Sequence, residues 1–208
     1  MTATSPRSRF RSPLPVLVLA LIFVLTAPVP RATAAQDAGA FIANIGTQGI
    51  QAAGAGVPSP ERLARFRQLL REDFDIPGIG LFALGRYRSS ATPQEQQEFF
   101  RLYPDFTVRA FSSRLNGYGG ASFRVTSRRL VGNETVVNSE IVRGDGSRVA
   151  LDWYLTDGGG EYRVTDVAVG GVSMKITLRD QFASWIETNG GGFSALLAVL
   201  RQQIAQAR

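Results

Sequence analysis

The chain contains no cysteine and no histidine, and Lys175 is its only lysine. These absences exclude a Ser-His-Asp triad, a thiolate nucleophile, an ordinary zinc site and a disulfide framework. Any catalysis would have to rest on carboxylates, serine, tyrosine or that one lysine. Long apolar stretches are also scarce. The only one runs from Leu14 to Val29, 16 residues interrupted by Pro15 and Pro28, which is short for the roughly 20 residues of a spanning helix.

That stretch explains the charge. The 208 residues carry 23 basic against 17 acidic side chains, yet Arg7, Arg9, Arg11 and Arg31 all precede residue 35 and no acid accompanies them. A basic start, an apolar middle and the small residues Ala32-Thr33-Ala34 have the three parts of a secretory signal peptide. The expected division is a signal peptide over 1–34 and one domain over 35–208, with cleavage before Ala35 or Gln36. Arg7-Ser8-Arg9 is not a twin-arginine pair, so general secretion is the expected route. Without the leader, 19 basic side chains face 17 acidic ones. Arg128-Arg129 is too small a cluster for a nucleic-acid surface, and no nucleic-acid partner is expected. A cysteine-free exported domain must be held by packing, which its length permits.

The first half of the domain is helical in pattern. Ala35 to Val57 has Phe41, Ile42, Ile45 and Ile50 on a weak helical period, read as a frayed or loosely docked first helix. Ser59-Pro60-Glu61 is a start signal, with serine at the cap, proline in the first turn and acid near the positive end of the dipole. Asp75-Ile76-Pro77 opens a short segment ending at Gly85, with Ile79, Phe82 and Ala83 on one side. Thr92-Pro93-Gln94-Glu95 has the form of a capping box. The helix it starts carries Pro104, so a kink or break near Tyr103 is expected.

From Phe123 onward the period becomes two. Val137, Ser139 and Ile141 alternate with polar neighbours, and Val149, Leu151, Trp153 and Leu155 share one face of the clearest strand. Gly144-Asp145-Gly146 and Asp157-Gly158-Gly159-Gly160 are turn sequences, which makes adjacent strands antiparallel. A further strand spans about Tyr162 to Val169. Residues 172–178 suit a strand or the start of a helix, and Phe193, Leu196, Leu197, Leu200 and Ile204 form a closing amphipathic helix. The expected class is α+β in one domain: helices, a run of about four antiparallel strands with one apolar face to cover, then helices.

Three motifs suggest chemistry and fit poorly. Ser173-Met174-Lys175 lacks the spacing of Ser-x-x-Lys, and a helix cap beside a solvated lysine accounts for it. Gly78-Ile79-Gly80-Leu81-Phe82-Ala83 resembles a dinucleotide fingerprint but follows no strand of a parallel βαβ unit. Glu72, Asp73 and Asp75 are read as a solvated helix end rather than a cation or acid-base site. What stands out instead is aromatic surplus on the helical half, opposite Phe123, Leu151 and Trp153. By pattern alone this is an ordinary packed core or, alternatively, an apolar ligand cavity.

The order of several fragments resembles the MlaC, or toluene-tolerance, family of periplasmic phospholipid-binding proteins. The fragments are Leu84-Gly85-Arg86-Tyr87-Arg88, Ala91-Thr92-Pro93-Gln94-Glu95-Gln96 leading to Phe99-Phe100, and Leu115-Asn116-Gly117-Tyr118-Gly119-Gly120. Tyr162-Arg163-Val164-Thr165-Asp166-Val167, Gly171-Val172-Ser173-Met174 and Arg179-Asp180-Gln181-Phe182 continue the series. Tyr162 stands where the family usually has tryptophan, and Pro104 interrupts the long helix.

The resemblance implies a non-catalytic periplasmic carrier, without cofactor or metal. Such a carrier shuttles phospholipid between an inner-membrane ABC transporter with an MCE-domain component and an outer-membrane lipoprotein complex. It implies a twisted antiparallel sheet of about four strands wrapped by helices, with acyl chains held between the two layers, and the residues expected to line that cavity are Phe82, Tyr87, Phe100, Tyr103, Phe111, Tyr118, Phe123, Val149, Leu151, Trp153, Val172, Met174 and Phe182. Hiding roughly 30 methylenes at about 0.8 kcal/mol each offsets about 24 kcal/mol, so a pocket near the roughly 1,000 Å³ upper end of ligand sites is expected. The alternatives are an exported adaptor or structural domain with a filled core, and a carrier of a hopanoid-like lipid.

Overall fold

The computed structural model describes residues 1–2, 37–54, 59–114 and 118–206, with the backbone alone at 59 and 112–114. The leader segment and its cleavage site lie outside the described residues. Among the described residues, no helix is long and apolar enough to cross a membrane.

The helical half comprises α1 (Ala38–Ala52), α2 (Ser59–Asp73), α3 (Ile76–Leu84), a 3-10 turn (Gly85–Ser90) and α4 (Pro93–Arg114). The sheet follows as β1 (Ser122–Val131), β2 (Glu134–Val142), β3 (Arg148–Asp157), β4 (Tyr162–Val169) and β5 (Val172–Ser173), and α5 (Met174–Thr188) and α6 (Phe193–Gln206) complete the chain. The five strands are ordered β1-β2-β3-β4-β5 and each pairs antiparallel with the next. The α+β sheet-and-helix arrangement is as expected from the pattern, with one short strand added. At the point where the sequence was ambiguous, two residues pair as β5 and the chain then turns directly into α5. The Gly170-Gly171 turn permits this, because both residues take positive φ (58° and 83°), as a tight hairpin requires.

Caps define the helix starts. The Asp37 carboxylate accepts from the Ala40 amide at 2.9 Å, and Asp75 accepts from the Gly78 amide at 3.0 Å. The Thr92 amide donates to Glu95 Oε2 at 2.9 Å while the Glu95 amide donates to Thr92 Oγ1 at 3.2 Å, which closes the capping box.

Two expectations are corrected. The first helix is not loosely docked: Phe41, Ile42 and Ile45 are buried against the sheet, and Arg128 of β1 reaches the Asp37 cap at 2.5 Å. Its weak periodicity reflects small residues, which allow a close approach rather than prevent one. Of the kink or break expected near Tyr103, the break does not occur: the long helix α4 continues through Pro104 to Arg114. Proline removes one backbone bond, while Phe99, Tyr103, Phe106 and Val108 on either side are buried and hold the helix in place.

The interior is divided. One apolar cluster joins α3, α4, α5 and α6 around Phe99, Tyr103, Phe182 and Leu200. A second packs α1 and Leu69 onto the sheet through Val137, Leu151, Trp153 and Leu155. A third, smaller one links Phe66 and Leu70 of α2 to Val108 of α4. Where the three approach one another they leave space.

Candidate functional site: an apolar cavity between helices and sheet

The space is a cavity of about 370 Å³. Its helical walls are Ile45, Gly46, Gly49 and Ile50 of α1, Phe66, Leu69 and Leu70 of α2, Ile76 and Ile79 of α3, and Tyr103, Thr107 and Phe111 of α4. The sheet contributes Phe123, Ile141, Val149, Leu151, Trp153, Asp166, Val167 and Val169, and Phe74, Tyr118, Met174, Lys175 and Leu178 complete the wall. Alternation along the strands delivers the sheet side: Leu151 and Trp153 are two apart on β3, and Val167 and Val169 are two apart on β4. Ile141 pairs with both Phe123 and Val149, so these three form one row across β1, β2 and β3.

Fixed side chains give the floor its shape. The Trp153 indole N–H donates to Ser139 Oγ at 2.8 Å, and its ring is flanked edge-on by Phe74 and Phe123 at 6.4 and 6.1 Å. On α1, a side chain at Gly46 would overlap the Phe123 ring, whereas a Cβ at Gly49 meets nothing within 4 Å. Gly46 therefore lets α1 approach the sheet, and Gly49 leaves the wall open.

Polar groups are few and mostly satisfied. Asp166 Oδ1 accepts from the Val167 and Lys175 amides at 2.8 and 3.0 Å, and its other oxygen accepts from the Ser173 hydroxyl. It thus joins β4 to the start of α5, which Ser173 caps through the Ile176 amide. Thr107 gives its hydroxyl hydrogen to the Tyr103 carbonyl oxygen at 2.7 Å. The Tyr103 hydroxyl lies near Thr107 without meeting hydrogen-bond geometry. Burial pushes this phenol well above its ordinary pKa, with Thr107 acting in the opposite direction. No group of three or more potential metal ligands occurs among the described residues, and Asp75 of the acidic trio is occupied as the cap of α3.

Of the residues singled out from the sequence, Tyr103, Phe111, Tyr118, Phe123, Val149, Leu151, Trp153 and Met174 border the cavity. The other five lie elsewhere. Phe182 is fully buried in the helical core, where Tyr103 and Phe99 meet it edge-on, and Phe100 packs on the margin of that core. Phe82 and Val172 are exposed, at 39% and 56%. Tyr87 is half-buried against the same helical core, its hydroxyl donating to Glu187 at 2.9 Å. The aromatic surplus is thus shared between a solid helical core and the cavity wall. The volume is also smaller than the roughly 1,000 Å³ expected from the sequence, and Trp153, Phe123, Phe74 and Phe66 are among the rings that line it.

A family model described as MlaC protein matches residues 50–202, from the last turn of α1 into α6. The chain belongs to the MlaC family. Among its MlaC-family relatives is the intermembrane phospholipid transport system binding protein MlaC of Haemophilus influenzae, 23% identical over 150 residues, which are 67% of this chain and 69% of that protein. The toluene tolerance protein ttg2D of Pseudomonas putida is 23% identical over 124 residues, 59% of this chain and 58% of that one. In fold, the MlaC-family chain resembles a phospholipid-binding protein from Ralstonia solanacearum solved in complex with a phospholipid. The TM-score is 0.68 at 24% identity, covering 83% of this chain and 99% of the other. Membership of this family points to lipid binding and transport rather than catalysis.

Proposed function

We propose that this chain is an exported lipid carrier whose cavity takes the acyl chains of one phospholipid, in a domain spanning 35–208. The observation that carries the reading is the nearly unbroken apolar wall from Ile45 and Leu69 to Leu151 and Val169. The phospholipid named for relatives of the same family and fold supports it. A space of about 370 Å³ holds about a dozen water-sized groups at roughly 30 Å³ each. If about ten of these are methylenes, the enclosed part alone offsets about 8 kcal/mol, the scale of a micromolar dissociation constant before binding costs. The rest of the chains continues beyond the enclosed volume.

Export through a cleaved leader would place the carrier in the periplasm. There it would receive lipid from, or deliver it to, an inner-membrane MCE-domain ABC transporter and an outer-membrane lipoprotein complex. A carrier of this kind has no energy source of its own, so direction is set by which partner competes better for the chains. Transfer of a fluorescent phospholipid from donor to acceptor vesicles tests the reading. Transfer proportional to protein concentration is expected, and vesicle-to-vesicle exchange no faster than without protein would overturn it. N-terminal sequencing of the exported form should find Ala35 or Gln36 first; an intact Met1 in membrane pellets would contradict a soluble carrier.

A further inference from the structure

Large apolar side chains facing water are few. Among the described residues other than Met1 they are Phe82, Val172 and Ile176 in one place and Leu130 and Val131 in another. Leu130 and Val131 close β1 at the β1–β2 turn, whereas Val172 opens β5 after the β4–β5 turn, on the other edge of the sheet and at the other end of its strands. Phe82 of α3 faces two cations from the first turns of α5. Lys175 Nζ lies 5.1 Å and the Arg179 guanidinium carbon 5.7 Å from its ring centroid. Ile176 falls between these cations in the sequence of α5, and Val172 precedes that helix by two residues.

This group is continuous with the cavity wall at two points. Lys175 borders the cavity and also reaches the Phe82 ring. Val172 pairs across the hairpin with the lining residue Val169, and directly opposed residues share a face of the sheet. The local charge is positive. Arg179 pairs with Asp180 at 2.9 Å, and Arg86, which borders the same surface groove as those two, pairs with Glu187. Lys175 pairs with no carboxylate among the described residues. Three cations thus meet two carboxylates. At the β1–β2 turn the balance differs: Arg128 is paired with Asp37, and Glu134 stands opposite Val131.

We propose that Phe82, Val172, Ile176, Lys175 and Arg179 form a docking patch for an anionic lipid bilayer, so that the chain meets a membrane with the side on which the cavity wall reaches the surface. Exposed apolar side chains of this kind enter the acyl boundary, while long basic side chains beside them extend to the phosphates. A partner recognised by charge alone would leave Phe82, Val172 and Ile176 in water. The proposal rests on the carrier reading and adds to it a direct contact with the bilayer. Each basic side chain near an anionic surface strengthens binding by about fivefold, and loss of two exposed apolar side chains should weaken it by about tenfold or more.

The test floats the purified chain with vesicles on a density gradient. Vesicles of two parts phosphatidylcholine to one part phosphatidylglycerol are compared with phosphatidylcholine alone, and native mass spectrometry measures bound phospholipid on the same samples. Wild type should bind the anionic vesicles at least fivefold more than the neutral ones, and the excess should vanish in 1 M salt, where the screening length is about 3 Å. Phe82→Ser/Ile176→Ser should bind about tenfold less while staying folded and keeping its phospholipid. Arg179→Gln, at an exposed position, should bind about fivefold less and keeps the test open should the double variant not fold. Arg179→Lys should bind like wild type, and so should Leu130→Ser at the opposite end of the sheet.

Binding no greater to anionic than to neutral vesicles, or binding undiminished in the folded Phe82→Ser/Ile176→Ser variant, overturns the proposal. A wild type that carries phospholipid yet stays out of the floated fraction overturns docking and leaves the carrier reading in place. A folded wild type that floats but carries no phospholipid supports docking and contradicts the carrier reading instead.

Discussion

Two leucines on the same face of β3 distinguish a cavity from a filled core. Leu151 borders the cavity, whereas Leu155, four residues along the strand, is fully buried among Val164 and Val137 and does not. Leu→Asp at either site removes a buried side chain worth about 1.5–3 kcal/mol. The carboxyl group then separates the two cases. At Leu155 it has no water and must stay protonated or ionise unpaired, at several kcal/mol more, a large share of the roughly 5–15 kcal/mol that stabilises a domain. At Leu151 it faces about 370 Å³, room for about a dozen waters, and it hydrates once the space is free of lipid. Leu151→Asp should therefore fold, melt about 3–12 °C lower at roughly 2–4 °C per kcal/mol, and carry no lipid. Leu155→Asp should fail to fold or melt far below it. The assay is thermal melting by circular dichroism with bound lipid measured on the same samples. Equal unfolding of both variants, or a folded Leu151→Asp that keeps its lipid, would refute the reasoning.

Gly49→Leu extends into open space beside the cavity and removes a helix-interior glycine costing about 0.8–1 kcal/mol, so melting temperature should rise while bound lipid falls. Gly46→Leu drives a side chain into the Phe123 ring and should cost about 1–3 kcal/mol, read in urea denaturation. Thr92→Ala removes the capping-box hydroxyl and should cost about 1 kcal/mol with lipid content unchanged. Burial, and secondarily the charge of Glu72, raises the Asp73 pKa, with Arg163 opposing. The cost of ionised Asp73 is absent below its ordinary pKa, builds as pH rises through the raised one and is complete above it. Asp73→Asn should therefore stabilise the fold at pH 7 and lose that advantage in acid; an advantage unchanged at pH 3 would contradict the sign.

The elements with local signals were legible in the sequence. Thr92 and Glu95 marked the start of α4, and the alternation of Val149, Leu151, Trp153 and Leu155 identified β3 and its inward face. The cavity was legible from the strand side for the same reason, since a period of two assigns a face without reference to the helices. On the helical side, periodicity places Phe82, Tyr103 and Phe182 on faces but does not say which neighbour covers each face. Tyr103 consequently reaches the cavity, Phe182 lies in the core of α4 and α5, and Phe82 is exposed. Among the residues not anticipated, Ile45, Gly46, Gly49 and Ile50 belong to α1, the helix that looked weakest. Their signal was the small residue Gly46, which lets α1 close on Phe123, beside Gly49, which leaves the wall open. Asp166 and Lys175 were likewise missed, because their positions depend on the β4 to α5 junction and not on a local motif.

Native mass spectrometry of the chain purified gently from its own cell envelope tests the central claim most directly. The account predicts a dominant species heavier than the polypeptide by one phospholipid, lost on solvent extraction and identified by fragmentation. Only the bare polypeptide mass, from preparations in which the chain is folded, would contradict a lipid-carrying cavity.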